Sequence, residues 1–140
     1  MQKKLFLLDT QIWVDHYLER GPEGIYGKQA LKLILKVIAD DIKILFSNFN
    51  ERELKGIGLA QTEINSLLSM IKPEHIKRVS VTKSQFVEAH KLAKQRSIPL
   101  GDAIHAIIAR DYNAQMVSRD EKDFRKLKDI TAFKKPEDLI

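Results

Sequence analysis

The sequence predicts an α/β protein: a three-layer α/β/α sandwich around a mostly parallel central sheet of about five strands. Two observations carry this. Along the chain, short strand-like apolar runs alternate with stripes of helical period. Strands that alternate with helices need crossover connections, and these give parallel strands covered on both faces. The first run, Leu5-Phe6-Leu7-Leu8, is apolar at every position, as a strand buried on both faces must be. The size agrees: 140 residues, 44% hydrophobic and 31% charged, suit a single domain over 1–140 with a real core.

The elements follow in order. After strand 5–8, a helix is expected over 10–19, with Ile12, Trp13, His16 and Tyr17 on one face, until Gly21-Pro22-Glu23-Gly24 breaks it. Over 28–40, Leu31, Ile34, Leu35 and Ile38 form an amphipathic stripe. Residues 42–47 read as the second strand. Asn50 opens another helix, and Ile64, Leu67, Leu68 and Ile71 repeat the stripe until Lys72-Pro73. A third strand is expected over 78–81, a helix over 84–96, and a fresh helix over 101–112 beyond Pro99. Residues 116–118 read as strand four, 121–128 as a short helix and 130–133 as strand five. There is no internal repeat.

Composition removes whole classes of chemistry. With no cysteine, disulfides, thiolate nucleophiles, Cys-ligated zinc and iron–sulfur clusters are excluded. No apolar run nears the ~18 residues of a membrane span. Met1-Gln2-Lys3-Lys4 resembles the start of a secretory signal, but Asp9 ends the apolar stretch too early. The expectation is a soluble cytoplasmic protein with no membrane partner. Lys and Arg exceed Asp and Glu by five, which permits a nucleic-acid partner without requiring one.

In parallel sheets the active site lies at the carboxyl ends of the strands. Four acids fall there. Asp9 directly follows strand one, Glu53 lies six residues after Ser47, Asp102 opens the helix after Pro99, and Asp120 follows strand four, with Asp123 just beyond. Each has an ordinary structural reading. Asp9, Asp102 and Asp120 suit helix starts, and Asn50-x-x-Glu53 matches a capping box. Convergence would need more, because caps require no neighbouring carboxylate. Four carboxylates together repel one another, and a divalent cation relieves the repulsion. Oxygen-only ligation selects Mg²⁺ or Mn²⁺. An acid cluster with a metal and no nucleophile points to metal-assisted phosphoryl chemistry.

Four segments carry a resemblance to a known family: Leu7-Leu8-Asp9-Thr10-Gln11-Ile12; Ser47 with Glu53-Leu54; Ile98-Pro99-Leu100-Gly101-Asp102-Ala103-Ile104-His105-Ala106; and Met116-Val117-Ser118-Arg119-Asp120-Glu121-Lys122-Asp123-Phe124. Together they resemble the PIN domain, and within it the toxin ribonucleases of VapBC toxin–antitoxin pairs, over nearly the whole chain. The resemblance implies that Asp9, Glu53, Asp102 and Asp120 form the acidic quartet that binds Mg²⁺ or Mn²⁺ and hydrolyses RNA, leaving 5′ phosphate and 3′ hydroxyl ends. Thr10 and Ser118 would support those carboxylates. It also implies a small antitoxin partner and a homodimer or higher oligomer. Asn50 stands where a Ser or Thr is more usual in the family and Ser118 where a Thr is, and both keep hydrogen-bonding side chains. Glu51 and Glu53 sit on opposed sides of a helix, so only one faces the site; spacing selects Glu53. Asp123 is an alternative fourth acid to Asp120.

Around the expected site, Arg119, Lys122, Arg125 and Lys126, with Lys128, could neutralise RNA phosphates or form an ordinary solvated face. Trp13 and Tyr17 could stack on bases or pack in the core. His105 could touch a phosphate or simply pack. A haloacid-dehalogenase-type phosphatase needs a second Asp where Gln11 stands, and a dinucleotide-binding fold needs a Gly-rich first turn that this chain lacks. The remaining alternative is a catalytically inactive PIN-like scaffold that binds RNA or a protein.

Overall fold

The computed structural model describes residues 3–140; Met1 and Gln2, half of the Met1-Gln2-Lys3-Lys4 stretch, lie outside it. Five strands, β1 (Leu5–Leu8), β2 (Lys43–Ser47), β3 (Ile76–Val79), β4 (Gln115–Val117) and β5 (Phe133–Lys134), form one sheet in the order β3-β2-β1-β4-β5. Every pairing is parallel. Seven helices flank it: α1 (Thr10–Tyr17), α2 (Ile25–Ala39), α3 (Asn48–Gly56), α4 (Gln61–Ser69), α5 (Lys83–Arg96), α6 (Leu100–Asp111) and α7 (Glu121–Arg125).

The continuous apolar strands explain the three layers. Side chains alternate across a strand, so Phe6 and Leu8 pack with α1, α2 and α4, while Leu7 packs with α5 and α6 on the other face. Strand β2 does the same, with Ile44 and Phe46 on the first face and Leu45 on the second. The register Phe6↔Ile44 and Leu7↔Leu45 keeps like faces together. Trp13 anchors the first face, fully buried and edge-on to Phe46 with ring centroids 5.7 Å apart.

Several boundaries differ from those expected, each for a local reason. Helix α2 begins at Ile25, because the Gly21–Gly24 break is itself a short 3₁₀ turn that feeds straight into it. Strand β3 lies two residues earlier than 78–81: Val81 has left the sheet to donate its amide to Asn48 Oδ1 (3.0 Å), and Thr82 caps α5. Strand β5 is Phe133–Lys134, since the amides of Ile130 and Thr131 are bonded to Leu127 O and finish the turn after α7. That turn also shortens the expected 121–128 helix to Glu121–Arg125.

The expected capping box is also displaced by one turn. Strand β2 runs directly into α3, so Ser47 is the N-cap and Asn50, not Glu53, holds the third position. The Asn50 amide donates to Ser47 Oγ and the Ser47 amide to Asn50 Oδ1, both at 3.0 Å. Glu53 is thereby free of capping duty. Among the described residues, no helix is long and apolar enough to cross a membrane.

Candidate active site

The carboxyl ends of β1 and β4 open into a cleft of about 610 Å³ lined by Asp9, Gln11, Asp15, Arg20, Gly21, Tyr26, Glu53, Pro99, Asp102, Arg119 and Asp120. All four acids of the expected quartet border it. They do not form one tight group: Asp102, Asp120 and Asp123 place carboxylate oxygens within 4.8 Å of one another, while Asp9 and Glu53 stand outside that trio.

Each acid is held by the element that presents it. Asp9 begins α1 but makes no side-chain cap; its Oδ2 instead accepts from Ser118 Oγ at 2.9 Å. The same Ser118 oxygen accepts the Asp120 amide at 3.0 Å, so one buried hydroxyl ties the end of β1 to the end of β4. Asp120 caps α7, its Oδ1 accepting the Asp123 amide at 3.1 Å, and thereby fixes the spacing of two of the clustered acids. Asp102 sits in the first turn of α6.

Glu53 is the most elaborately held. Its Oε1 accepts from Thr10 Oγ1 at 2.7 Å and lies 2.6 Å from His105 Nε2. Thr10 Oγ1 in turn accepts from Asn50 Nδ2 at 2.9 Å. On the other side, a Cβ at Gly101 would stand 2.7 Å from Glu53 Oε2, so the absence of a side chain at position 101 lets α6 pass against this carboxylate.

The electrostatics follow from burial and crowding. Burial pushes the Asp102 carboxyl up, the charges of Asp9 and Asp120 push further, and its pKa reaches about 8. Burial also raises Asp9, against the opposing pull of His105 and Ser118, and Asp123 is raised by burial and by its bond and charge contact with Asp120. Glu53 goes the other way. Burial alone would raise it, but the hydrogen bond and charge of His105 with the Thr10 hydroxyl outweigh burial and hold it below the ordinary carboxylate range. His105 is fully buried, which disfavours its cation, yet Glu53, Asp9 and Asp102 together raise its pKa.

From the sequence alone, His105 reads as a packing residue or a phosphate contact. It is fully enclosed and cannot reach a phosphate; its place is beside Glu53. The signal was its position one turn after Asp102. Nothing local in the sequence marks Arg20, Asp15 or Tyr26 as cleft residues. Trp13 is in the core and unavailable for base stacking, while the exposed Tyr17 gives its hydroxyl to Glu63. Of the expected basic residues only Arg119 lines the cleft, and it is committed: its Nη1 donates to Glu137 (2.8 Å) and its plane lies over the Tyr26 ring, 4.3 Å from the centroid. Arg125 pairs with Glu121 at 3.0 Å, and Lys126 reaches the Arg96 carbonyl at 3.5 Å. The basic rim is thus weaker than expected near the acids.

Comparison with known proteins agrees with this geometry. The family model described as PIN domain matches residues 6–130. No curated protein matches the chain. Solved structures do: VapBC2 from Rickettsia felis bound to a DNA fragment from its promoter (TM-score 0.65, 18% identity, covering 94% of this chain and 98% of that one); VapBC-1 from nontypeable Haemophilus influenzae (0.64, 18%, 95% and 98%); and FitAcB from Neisseria gonorrhoeae (0.61, 19%, 96% and 99%). At such identities the likeness is one of fold.

Proposed function

The chain belongs to the PIN domain family, whose members are nucleases, and from that premise we propose that it is a metal-dependent endoribonuclease acting as the toxin of a toxin–antitoxin pair. The observation that carries the reading is the convergence of Asp102, Asp120 and Asp123 within 4.8 Å in a cleft that Asp9 and Glu53 also line. Helix starts explain each acid singly, but no cap needs a second carboxylate 4.8 Å away. Burial, and after it the charges of Asp9 and Asp120, drive the Asp102 carboxyl to about 8, a crowding that a bound cation would relieve.

The donor set fits a hard cation. All candidate ligands are carboxylate oxygens, which suit Mg²⁺ or Mn²⁺ and disfavour zinc or copper. Asp102, Asp120 and Asp123, whose oxygens converge, would hold the ion, with Asp9, which lines the same cleft, completing the set. A divalent ion there supplies a Lewis acid to a phosphoryl oxygen and eases deprotonation of the attacking water. The chain's own residues do the rest. Ser118 fixes the Asp9 carboxylate and the Asp120 backbone together. Thr10, held by Asn50, and His105 keep Glu53 ionised and aimed along the cleft, where it orients water against the scissile phosphate. RNA is the substrate in this reading, and residues 1–140 make one PIN domain.

The partner belongs to the same proposal. Likeness in fold to VapBC complexes supports an antitoxin partner, which would inhibit by occupying the acidic cleft; a homodimer or larger assembly is part of the same reading. The test is incubation of purified protein with end-labelled single-stranded and structured RNAs in Mg²⁺, Mn²⁺ or EDTA, beside Asp9→Asn. The expected outcome is cleavage by the wild type alone and only with metal. If no RNA is cut and calorimetry detects no Mn²⁺ binding, the acids are helix caps and the inactive scaffold takes over.

A further inference from the structure

The cleft holds a second guanidinium, that of Arg20, and it differs from Arg119 in what it leaves free. Arg20 donates from Nε to Asp15 Oδ1 at 2.9 Å and from Nη2 to Gln11 Oε1 at 2.6 Å. These contacts use one edge of the guanidinium. Nη1 and the second hydrogen of Nη2 remain as an end-on fork, with no partner among the described residues, on a side chain that is 41% exposed. Such a fork matches two oxygens of a phosphate.

The backbone holds this fork still. The Arg20 amide donates to Asp15 O (3.0 Å), and its carbonyl accepts from the amides of Tyr26 (3.0 Å) and Gly27 (3.2 Å). Two glycines allow that turn. Gly21 has φ +92, and a Cβ there would meet the Tyr26 ring at 2.7 Å; a Cβ at Gly27 would meet Asp15 O at 2.7 Å. A guanidinium tethered at two atoms on a fixed turn loses little rotamer entropy on binding, which is where pre-organisation gains affinity.

We propose that Arg20 is a phosphate-binding residue for the RNA chain, gripping a phosphodiester next to the one that lies at the acids. This rests on the ribonuclease reading and names what that reading lacks. The cleft is lined by five carboxylates and two guanidiniums; Arg119 turns its Nη atoms to Glu137 and Gln29 and buries its Nε, where no ligand reaches it. Arg20 is the cation in the cleft with donors to give a polyanion. A carboxylate of a protein partner would also fit the fork, but the cleft that must admit a phosphodiester to reach the acids makes phosphate its natural occupant.

The full chain with Arg20→Lys and Arg20→Ala tests this, by cleavage kinetics on a single-stranded RNA in Mn²⁺ and by anisotropy of labelled RNA across a salt series. Arg20→Ala is expected to raise KM about tenfold with little change in kcat, and to lower the slope of log K against log salt by about 0.7, one phosphate's worth on a single strand. Arg20→Lys keeps the charge and loses the fork, so it should retain the salt slope while KM still rises. This variant also reads out if the alanine fails to fold. Wild-type KM and salt slope in both variants, from a wild type that does cut RNA, would overturn the assignment of Arg20. A wild type that neither binds nor cuts RNA overturns the ribonuclease reading and this inference with it.

Discussion

Asp102 is a residue whose chemistry changes sharply on folding. Its pKa of about 8 stands far above the ~3.9 of an unfolded Asp, so between those values the native state binds the extra proton. Stability therefore falls as pH rises from about 4 to about 8 and is level beyond. Discounted for the partial exposure of the site, the effect is on the order of 1–2 kcal/mol. Asp102→Asn removes it. Chemical denaturation of metal-free protein at pH 6 and pH 8 should show the wild type losing stability between them, while the variant loses less by about that amount. An identical loss in both would mean that the acids do not repel as the geometry implies. The sequence disclosed Asp102 and its crowded neighbours because Asp9, Asp102 and Asp120 each follow a strand end or open a helix. It did not disclose the His105–Glu53 pair. Glu53 Oε1 and His105 Nε2 meet across 52 positions, and no local pattern encodes which face of α6 lies against α3.

At the level of elements, the strand–helix alternation is legible wherever apolar period is strong, as in β1, β2 and α6; α2 is legible as a helix but not in its face, because Leu31 and Leu35 of the expected stripe are exposed while Ala30, Leu33 and Val37 join Ile34 in the core. The alternation blurs where side-chain hydrogen bonds decide the boundary. Asn48 takes the Val81 amide out of the sheet, and Ser47 rather than Asn50 starts α3; both outcomes depend on contacts the chain makes only when folded. The packing of α6 on α3 gives a prediction of its own. Gly101 lies within the first turn of α6, where Gly→Ala ordinarily gains up to ~1 kcal/mol. Here the added Cβ stands 2.7 Å from Glu53 Oε2 and 3.3 Å from Phe49 Cε1, so the carboxylate must give way from its bonds to Thr10 and His105. The two effects offset in stability and not in function. Gly101→Ala should melt within a few degrees of the wild type while cleavage falls at least tenfold, since displacement of a positioned group by ~1 Å can cost about 100-fold. Full activity with unchanged melting would show that the exact seat of Glu53 does not matter.

Across the whole molecule, the sheet order β3-β2-β1-β4-β5 explains why the acids meet at all. The chain winds outward from β1 through β2 to β3, then returns to the other side of β1 to place β4 and β5. The crevice at the carboxyl ends of β1 and β4 is the switch point where open parallel sheets bind ligands. Asp9 leaves β1 there and Asp120 follows β4, with Ser118 bonded to both, so the charge repulsion at the cleft is imposed by topology and acts on the global fold. A cation that binds only the native state must then stabilise the entire chain. At a hundredfold excess over its dissociation constant the gain is ~2.7 kcal/mol, or roughly 5–11 °C in melting temperature at ~2–4 °C per kcal/mol for a domain near this size. Calorimetry at pH 8 should show Mn²⁺ raising the melting temperature by that amount, EDTA reversing it, and Asp9→Asn or Asp102→Asn abolishing most of it. The gain should shrink at pH 6, because the proton that Asp102 then carries must be displaced before an ion can bind. An equal gain in the wild type and both variants would place the ion elsewhere on the surface and separate the acidic cleft from metal binding.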